Sequence, residues 1–550
     1  MQILIKRKVD GPSVPELGTP TSVTFESITV PLNRASTGPA ALAQYELQRS
    51  LDGSTWSTIA TGPSIFGNPP VQFVDGGRIA LTTYYYRARA LDVAGRASAY
   101  SATVSATTAA TIAPSTAVVY PRVAAFLGVP HAYDTAISQQ TTAKFDLAVW
   151  YPWETWGQGR AMSLAQASAN VKALNPNCTL LFYHNFESSA SNDANVRPVL
   201  RSTINAQNWW LRTSYPSGSL VTISAYGDVY SLPNGFPGGP TLNGQNYAQW
   251  VMSTYVRDVY VNGVYPANQP ANPNVDGFFF DNVFMMYANN GDWDRDGVSD
   301  AQNNLALGTL YRQGVASGAA AYRALLPGKP FTANNMRGTM LYNPWNLPAP
   351  PPEYAGLFDF GLLEFYTGES YSVDEWGNPE AMLSAARKHA LQLADPANQI
   401  MFSGRRYTLT STNFQDVRYA LCAQLCATTG FVFYKNANAD NPETRDPNVP
   451  PTGWYDEYGG EGAAHPRYYL GVAEDPVVTA PWTSGVYRRR FQNGWVLWNP
   501  RGNGVRTVSL GQTMRKLQGR SGFSDTTVNN GAQVTSVTLQ DRDGLVLLKG

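Results

Sequence analysis

The sequence predicts a multidomain chain in which a (β/α)8 barrel is flanked by an N-terminal and a C-terminal β-sandwich. Three observations carry this expectation. At 550 residues the chain is too long for one hydrophobic core. Between about 120 and 476, short apolar runs alternate with amphipathic stretches, as successive βα units require. On either side of that region, apolar and polar residues alternate with a period of two, the mark of half-buried strands.

Residues 1–110 form the first predicted domain. Tyr45–Ser50 alternates, Asp52-Gly53 marks a turn, and Trp56–Ile59 returns. Thr83–Ala90 is a longer alternating strand closed by a turn at Asp92–Gly95, and Ser101–Thr108 supplies the last strand. The Tyr-x-x-Arg-Ala strand and the Ala-Gly-x-x-Ser-x-Tyr-Ser exit resemble a fibronectin type III domain, over roughly 95 residues. That resemblance implies a spacer or docking module without chemistry of its own. The Thr/Ala-rich stretch Thr107–Thr116 reads as linker, placed at 111–119 between the domains.

Eight apolar runs are expected to be barrel strands over 120–476: Val123–Gly128, Phe145–Trp150, Thr179–Asn185, Gly277–Asn282, Phe331–Asn335, Gly361–Phe365, Ile400–Gly404 and Phe431–Lys435. Helical patterns fall between them at Met162–Leu174, Tyr247–Val261, Leu305–Leu326, Pro379–Leu393 and Phe414–Ala427. The long gap 186–246, with Trp209-Trp210 and a Gly/Pro-rich stretch, reads as a β-hairpin insertion over the barrel mouth. Alternation resumes in 477–550, where Val486–Phe491, the Asn493-Gly494 turn and Trp495–Pro500 open a C-terminal β-sandwich.

Composition narrows the function. Lys+Arg and Asp+Glu are both 40, so nothing attracts nucleic acid or an anionic membrane. No apolar run is long enough to span a bilayer, and the short apolar patch at Met1–Ile5, followed by its charges, does not make a signal peptide. Charged residues are only 15% and aromatics 12%, a balance that suits sugar rings stacking on aromatic faces. Cys178, Cys422 and Cys426 sit in apolar segments and read as free core thiols. The four histidines have no zinc-site spacing.

The chemistry lies where apolar runs end in carboxylates. Asp281 closes Gly277–Asn282 and Glu364 closes Gly361–Phe365, and the C-terminal ends of barrel strands are where such folds carry their active sites. A glycosidic bond is cleaved by two carboxyl groups, and strands two apart place theirs on the order of 5–9 Å from each other, a range covering both retaining and inverting geometry. The bland alternative is that both acids pair with Arg405 or Lys435 to satisfy the rim. Asp276, at the other end of its strand, belongs to the stability face. Other strand ends carry Trp150, Tyr151 and Trp153; Tyr183, His184 and Asn185; Asn334 and Asn335; Arg405; and Tyr434 and Lys435. These are candidate substrate contacts, each equally able to be a rim residue, and Arg405 or Lys435 would suit a uronate or amino-sugar group.

The Trp210-Leu-Arg run, the helix leading into Asp276-Gly-Phe-Phe-Phe-Asp-Asn282, Leu363-Glu364, and the strand Val486–Pro500 resemble glycoside hydrolase families related to endo-α-1,4-polygalactosaminidases and, more distantly, the α-galactosidase clan. The resemblance covers about 350 residues. It implies Asp281 as nucleophile and Glu364 as proton donor, with Glu standing where the clan has Asp. A second motif is Asp292-Trp-Asp-Arg-Asp-Gly-Val-Ser-Asp-Ala-Gln-Asn303. Asp292, Asp294, Asp296, the Val298 carbonyl, Asp300 and Asn303 match an EF-hand-type Ca2+ loop, with Asn in the position of the bidentate Glu. The alternative is an acidic turn capping a helix.

The expectation is therefore a polysaccharide glycosidase without organic cofactor. Its rival is a glycan-binding adhesin or a structural virion protein. A fibronectin-like module on a chain lacking a signal peptide suggests a bacteriophage tail component, or export by a non-classical route, with the N-terminal domain docking to other tail proteins.

Overall fold

The computed structural model describes residues 11–549 except 22–26, 35–40, 64, 66–71, 77, 79–81, 109–117, 128–132, 157–159, 190–192, 224–227, 231–238, 265–268, 284–289, 302–304, 335–350, 365, 369–371, 377, 406–412, 437–453 and 461–462. The chain divides into two compact units, Met1–Ala113 and Pro114–Gly550.

In the first unit, Glu16–Leu17, Ser27–Arg34 and Gln72–Gly76 make one sheet. Leu42–Ser50, Ser57–Gly62, Thr83–Asp92 and Val104–Thr107 make the other. Three strands facing four is the arrangement expected from the fibronectin type III resemblance. Burial along Thr83–Asp92 alternates at every residue, so Tyr84, Tyr86, Ala88 and Ala90 fill one core with Ile28, Val30 and Leu47. The buried Tyr86 hydroxyl donates to Asp75 of the other sheet at 2.7 Å.

The second unit holds a closed barrel of eight parallel strands, paired in sequence order all the way round. They are β1 (Arg122–Leu127), β2 (Leu147–Trp150), β3 (Thr179–Asn185), β4 (Gly277–Asp281), β5 (Phe331–Asn334), β6 (Phe360–Leu363), β7 (Gln399–Arg405) and β8 (Phe431–Asn436). Helices in the connections include α1 (Ala136–Ala143), α2 (Leu164–Leu174), α3 (Pro198–Gln207), α4 (Leu305–Leu325), α5 (Pro379–Ala390) and α6 (Phe414–Ala427). Asp276, just before β4, ties the N-terminal end of the barrel: its carboxylate accepts from Lys172 Nζ of α2 at 2.5 Å and from the Leu180 amide of β3 at 2.6 Å. Cys178, Cys422 and Cys426 are buried and free.

The stretch Tyr247–Val261 differs from a regular α-helix. It starts with a capping box at Asn246 and Gln249, then continues as two π-helical stretches, Trp250–Tyr255 and Arg257–Val261. Two features accompany the widening. The Ser253 hydroxyl donates back to the Gln249 carbonyl, and α4 approaches so closely that a Cβ on Gly318 would meet Met252 Sδ at 2.6 Å. The insertion 186–246 also exceeds a hairpin, since it contains α3 as well as a small sheet of Ser188–Ser189, Thr222–Ile223 and Asp228–Tyr230.

At the C-terminal side, β9 (Tyr487–Phe491), β10 (Gly494–Asn499), β11 (Arg506–Lys516), β12 (Gln533–Leu539) and β13 (Asp543–Lys549) form a single antiparallel sheet, where two packed sheets were expected. The long strand β11 is irregular between Ser509 and Met514 and pairs with β12 on both sides of that point, joining β13 only beyond it. One face of β10 buries Trp495 and Leu497 in the sheet's own core, and the other buries Val496 and Trp498 in the barrel's core.

Buried polar side chains hold this sheet to the barrel. Arg418 of α6 pairs with Asp543 at 3.1 Å and Asp525 at 2.9 Å. Arg489 of β9 is fully buried and donates to the carbonyls of Leu425 at 2.6 Å and Thr428 at 2.5 Å, at the C-terminal end of α6. A small cavity between α6 and the sheet is lined by Arg418, Cys422, Glu457 and Asn529. Glu457 Oε1 accepts from Ser524 and Asn529, while Oε2 has no hydrogen-bond partner among the described residues. Burial pushes its carboxyl up to about 7 from the ordinary 4.5, against smaller opposing effects of the Ser524 bond and Arg418. Between those pH values the folded chain keeps a proton that the unfolded chain releases, so stability falls as pH rises through this window. Glu457→Gln should flatten that decline in denaturant unfolding from pH 4.5 to 8, recovering up to about 3 kcal/mol at the alkaline end. An unchanged slope in the variant would contradict this.

Candidate active site

Side chains alternate between the two faces of a strand, and parallel register carries that parity around the barrel. Tyr183 pairs with Phe279, Asn185 with Asp281, Phe279 with Thr332, and Asn334 with Leu362. Phe126, Tyr183 and Phe279 meet ring to ring at 5.6–6.0 Å, which marks their shared face as the barrel interior. Two positions beyond Tyr183 and Phe279, at the C-terminal ends of their strands, Asn185 and Asp281 share this face.

Asn334 is the hub of the polar cluster. Its Nδ2 donates to Asp281 Oδ1 at 2.9 Å and to Glu364 Oε2 at 2.6 Å. The two acceptor oxygens are thus separated by at most the sum of these distances, about 5.5 Å. Asp281 Oδ1 also accepts from the Asn282 amide at 2.8 Å, and Oδ2 from the Tyr183 hydroxyl at 2.7 Å. Three donors from three strands or strand ends fix the orientation of this carboxylate. Both acids are half-buried, so they remain reachable from solvent. Burial, then the charge of Asp281, holds the Tyr183 phenol well above its usual range, so it stays a donor. Asn185 Oδ1 accepts from the side chain of Asn282, whose backbone turns left-handed at φ 58°.

The same parity removes three expected substrate contacts. Trp150 pairs with Phe182 on the outer face, stacks on Tyr133 at 4.3 Å and donates its indole N–H to Thr142 of α1. His184 is buried outside the barrel between Tyr255 and Phe280, and burial keeps it neutral by pulling its pKa well down. Tyr434 pairs with Ser403, which bonds Gln424 of α6, and its ring meets Tyr455 edge-on at 5.8 Å. Each of these packs against the surrounding layer, away from the barrel interior that holds Asp281 and Glu364. Tyr151 does stand by the cluster, its ring edge-on to Tyr183 at 4.4 Å. Trp153 is half-buried in the turn after β2. Asn335 and the side chains of Arg405 and Lys435 lie outside the described residues, and with them the proposed rim pairing of the two acids.

Two residues without a sequence signal support the site from behind. Arg197 Nη2 donates to the Tyr151 hydroxyl at 2.9 Å. Glu154, buried, accepts from the Val199 and Leu200 amides at the start of α3 and from Tyr255, and burial raises its pKa. It caps the helix that presents Arg197, a long-range service that no local motif announces.

Of the expected metal ligands, Asp292, Asp294 and Asp300 offer carboxylate oxygens within 4.8 Å of one another. Asp296 is exposed and outside that group, and bonds the Val298 amide; Asn303 lies outside the described residues.

No protein-family model matches the chain, and no curated protein sequence matches it. Among solved structures, the chain is similar to the sixth fibronectin type III domain of a human fibronectin type III domain containing protein 3, with 22% identity over 20% of this chain and 96% of that one and a TM-score of 0.17. It is similar to the fourth such domain of a human protein, with 16% identity over 21% and 94% and a TM-score of 0.17. A β-1,2-glucanase from Parabacteroides distasonis is matched at 21% identity over 25% of this chain and 16% of the glucanase, with a TM-score of 0.16. No helix among the described residues is long and apolar enough to cross a membrane.

Proposed function

We propose that the barrel is of the (β/α)8 glycosidase type and hydrolyses a glycosidic bond in a polysaccharide, with Asp281 as nucleophile and Glu364 as proton donor. The observation that supports this best is the Asn334 amide shared by the two carboxylates, because it draws one oxygen of each within about 5.5 Å of the other, in keeping with a retaining arrangement. Asp281 would attack the anomeric carbon as Glu364 protonates the departing oxygen; Glu364 would then deprotonate the water that releases the sugar. Tyr183, Asn185 and Tyr151 offer an aromatic and hydrogen-bonding floor for one sugar ring.

The test is release of reducing ends from bacterial capsular and exopolysaccharides, compared with Asp281→Asn and Glu364→Gln. NMR of the first-formed product should show the anomeric configuration of the substrate. Glycan retained without release, equally in both variants, would mark a binding module instead and overturn the reading. Tyr183→Phe removes one charge-assisted bond to Asp281 and should lower kcat/KM by about 10- to 100-fold with little change in Tm.

A further inference from the structure

We infer that the loop 291–300 is a calcium clasp with Asp292, Asp294 and Asp300 as its carboxylate ligands, fastening together two of the connections that rise around Asp281. Asp292 is fully buried. Its Oδ2 accepts from the Tyr215 amide at 2.6 Å and the Gly297 amide at 3.0 Å, whereas Oδ1 has no hydrogen-bond partner among the described residues. A buried carboxylate oxygen left bare, in a group of three acids within 4.8 Å, is costly unless a cation sits among them. Among the described residues no Lys or Arg forms an ion pair with any of the three; Arg295, in the same loop, turns to the Asn208 carbonyl and the Tyr215 ring instead.

The donor set is all oxygen, which selects a hard divalent cation. The acids occupy positions 1, 3 and 9 of a loop whose sixth residue, Gly297, takes φ +92°, the sharp turn that such calcium loops require. Asp296, at position 5, caps the Val298 amide at 2.8 Å, so it shapes the turn. The ligand group is therefore smaller than the sequence motif suggests, and the Val298 carbonyl at position 7 and water are left to complete the shell.

The loop is already laced to the segment 208–220. The Asp292 amide donates to the Arg212 carbonyl at 2.8 Å, the Tyr215 amide returns to Asp292, and Gly291 stands against Leu211, where a Cβ would come within 2.8 Å. Segment 208–220 follows β3, which carries Tyr183 and Asn185, and the loop follows β4, which carries Asp281. A cation here locks those two connections as one wall, whatever reaction the barrel performs.

Trp293, inside the loop, supplies the readout. Terbium added to the metal-stripped full chain should give indole-sensitised emission that saturates, is displaced by Ca2+, and resists equal Mg2+. Asp294→Ala, away from the buried Asp292, should abolish it. Ca2+ should raise Tm by about 2–4 °C in the wild type, reversibly with EGTA, and not in Asp294→Ala. Emission no stronger than in Asp294→Ala, displacement by Mg2+ as effective as by Ca2+, or a Tm indifferent to Ca2+ would overturn the inference.

Discussion

Asp281→Asn is expected to reduce kcat/KM on a polysaccharide by at least about 10³-fold, with the folded barrel intact. An amide cannot form the glycosyl ester, yet it fills the same volume between Asn334, Asn282 and Tyr183. Glu364→Gln should cost a similar factor on the natural substrate and far less on an aryl glycoside, because a good leaving group departs without a proton. That contrast assigns the roles: a loss independent of leaving group belongs to the nucleophile, a leaving-group-dependent loss to the acid. If both variants respond alike to the leaving group, the division of labour is wrong even if hydrolysis is real.

The second large effect is on stability. Arg489→Met should destabilise the Pro114–Gly550 unit by on the order of 3–5 kcal/mol in denaturant unfolding, since it strands two buried carbonyls and removes a cation from the C-terminal end of α6. Arg489→Lys should fall between, because a single ammonium replaces a guanidinium that reaches the carbonyls of Leu425, Thr428 and, at 3.3 Å, Asp475. The guanidinium also lies 5.3 Å from the Tyr120 ring centroid and 5.2 Å from that of Phe491, a slot shaped for a flat group. A loss below about 1 kcal/mol for Arg489→Met would mean that the carbonyls find water instead.

Much of this was legible in the residues. All eight barrel strands fall on the apolar runs that announce them, because strands buried on both faces leave an uninterrupted hydrophobic signature. The placing of Asp281 and Glu364 followed from where those runs stop. What escaped was parity. In the sequence the strand ends stand out as whole polar clusters, although only every second side chain faces the interior; Asp281 on the inside implies Phe280, and by register His184, on the outside. The bifurcated role of Asn334 and the cap that Glu154 places on α3 escaped for another reason. Both join residues that are distant along the chain, and no spacing encodes them. The π-helical turns from Trp250 coincide with the close approach of α4 at Gly318, a tertiary contact that no local spacing encodes.

The shared core of barrel and C-terminal sheet bears on biosynthesis. Gly544 of β13 has its backbone against α6, where a Cβ would come within 2.5 Å of the Arg418 carbonyl and of Cys422 Cβ. Until the strands from β10 to β13 have all emerged from the ribosome, α6 lacks part of the cover over Tyr419, Cys422 and Arg418. Pairings this remote along the chain assemble slowly, so the apolar face of α6 is an aggregation hazard until the C-terminal sheet docks on it.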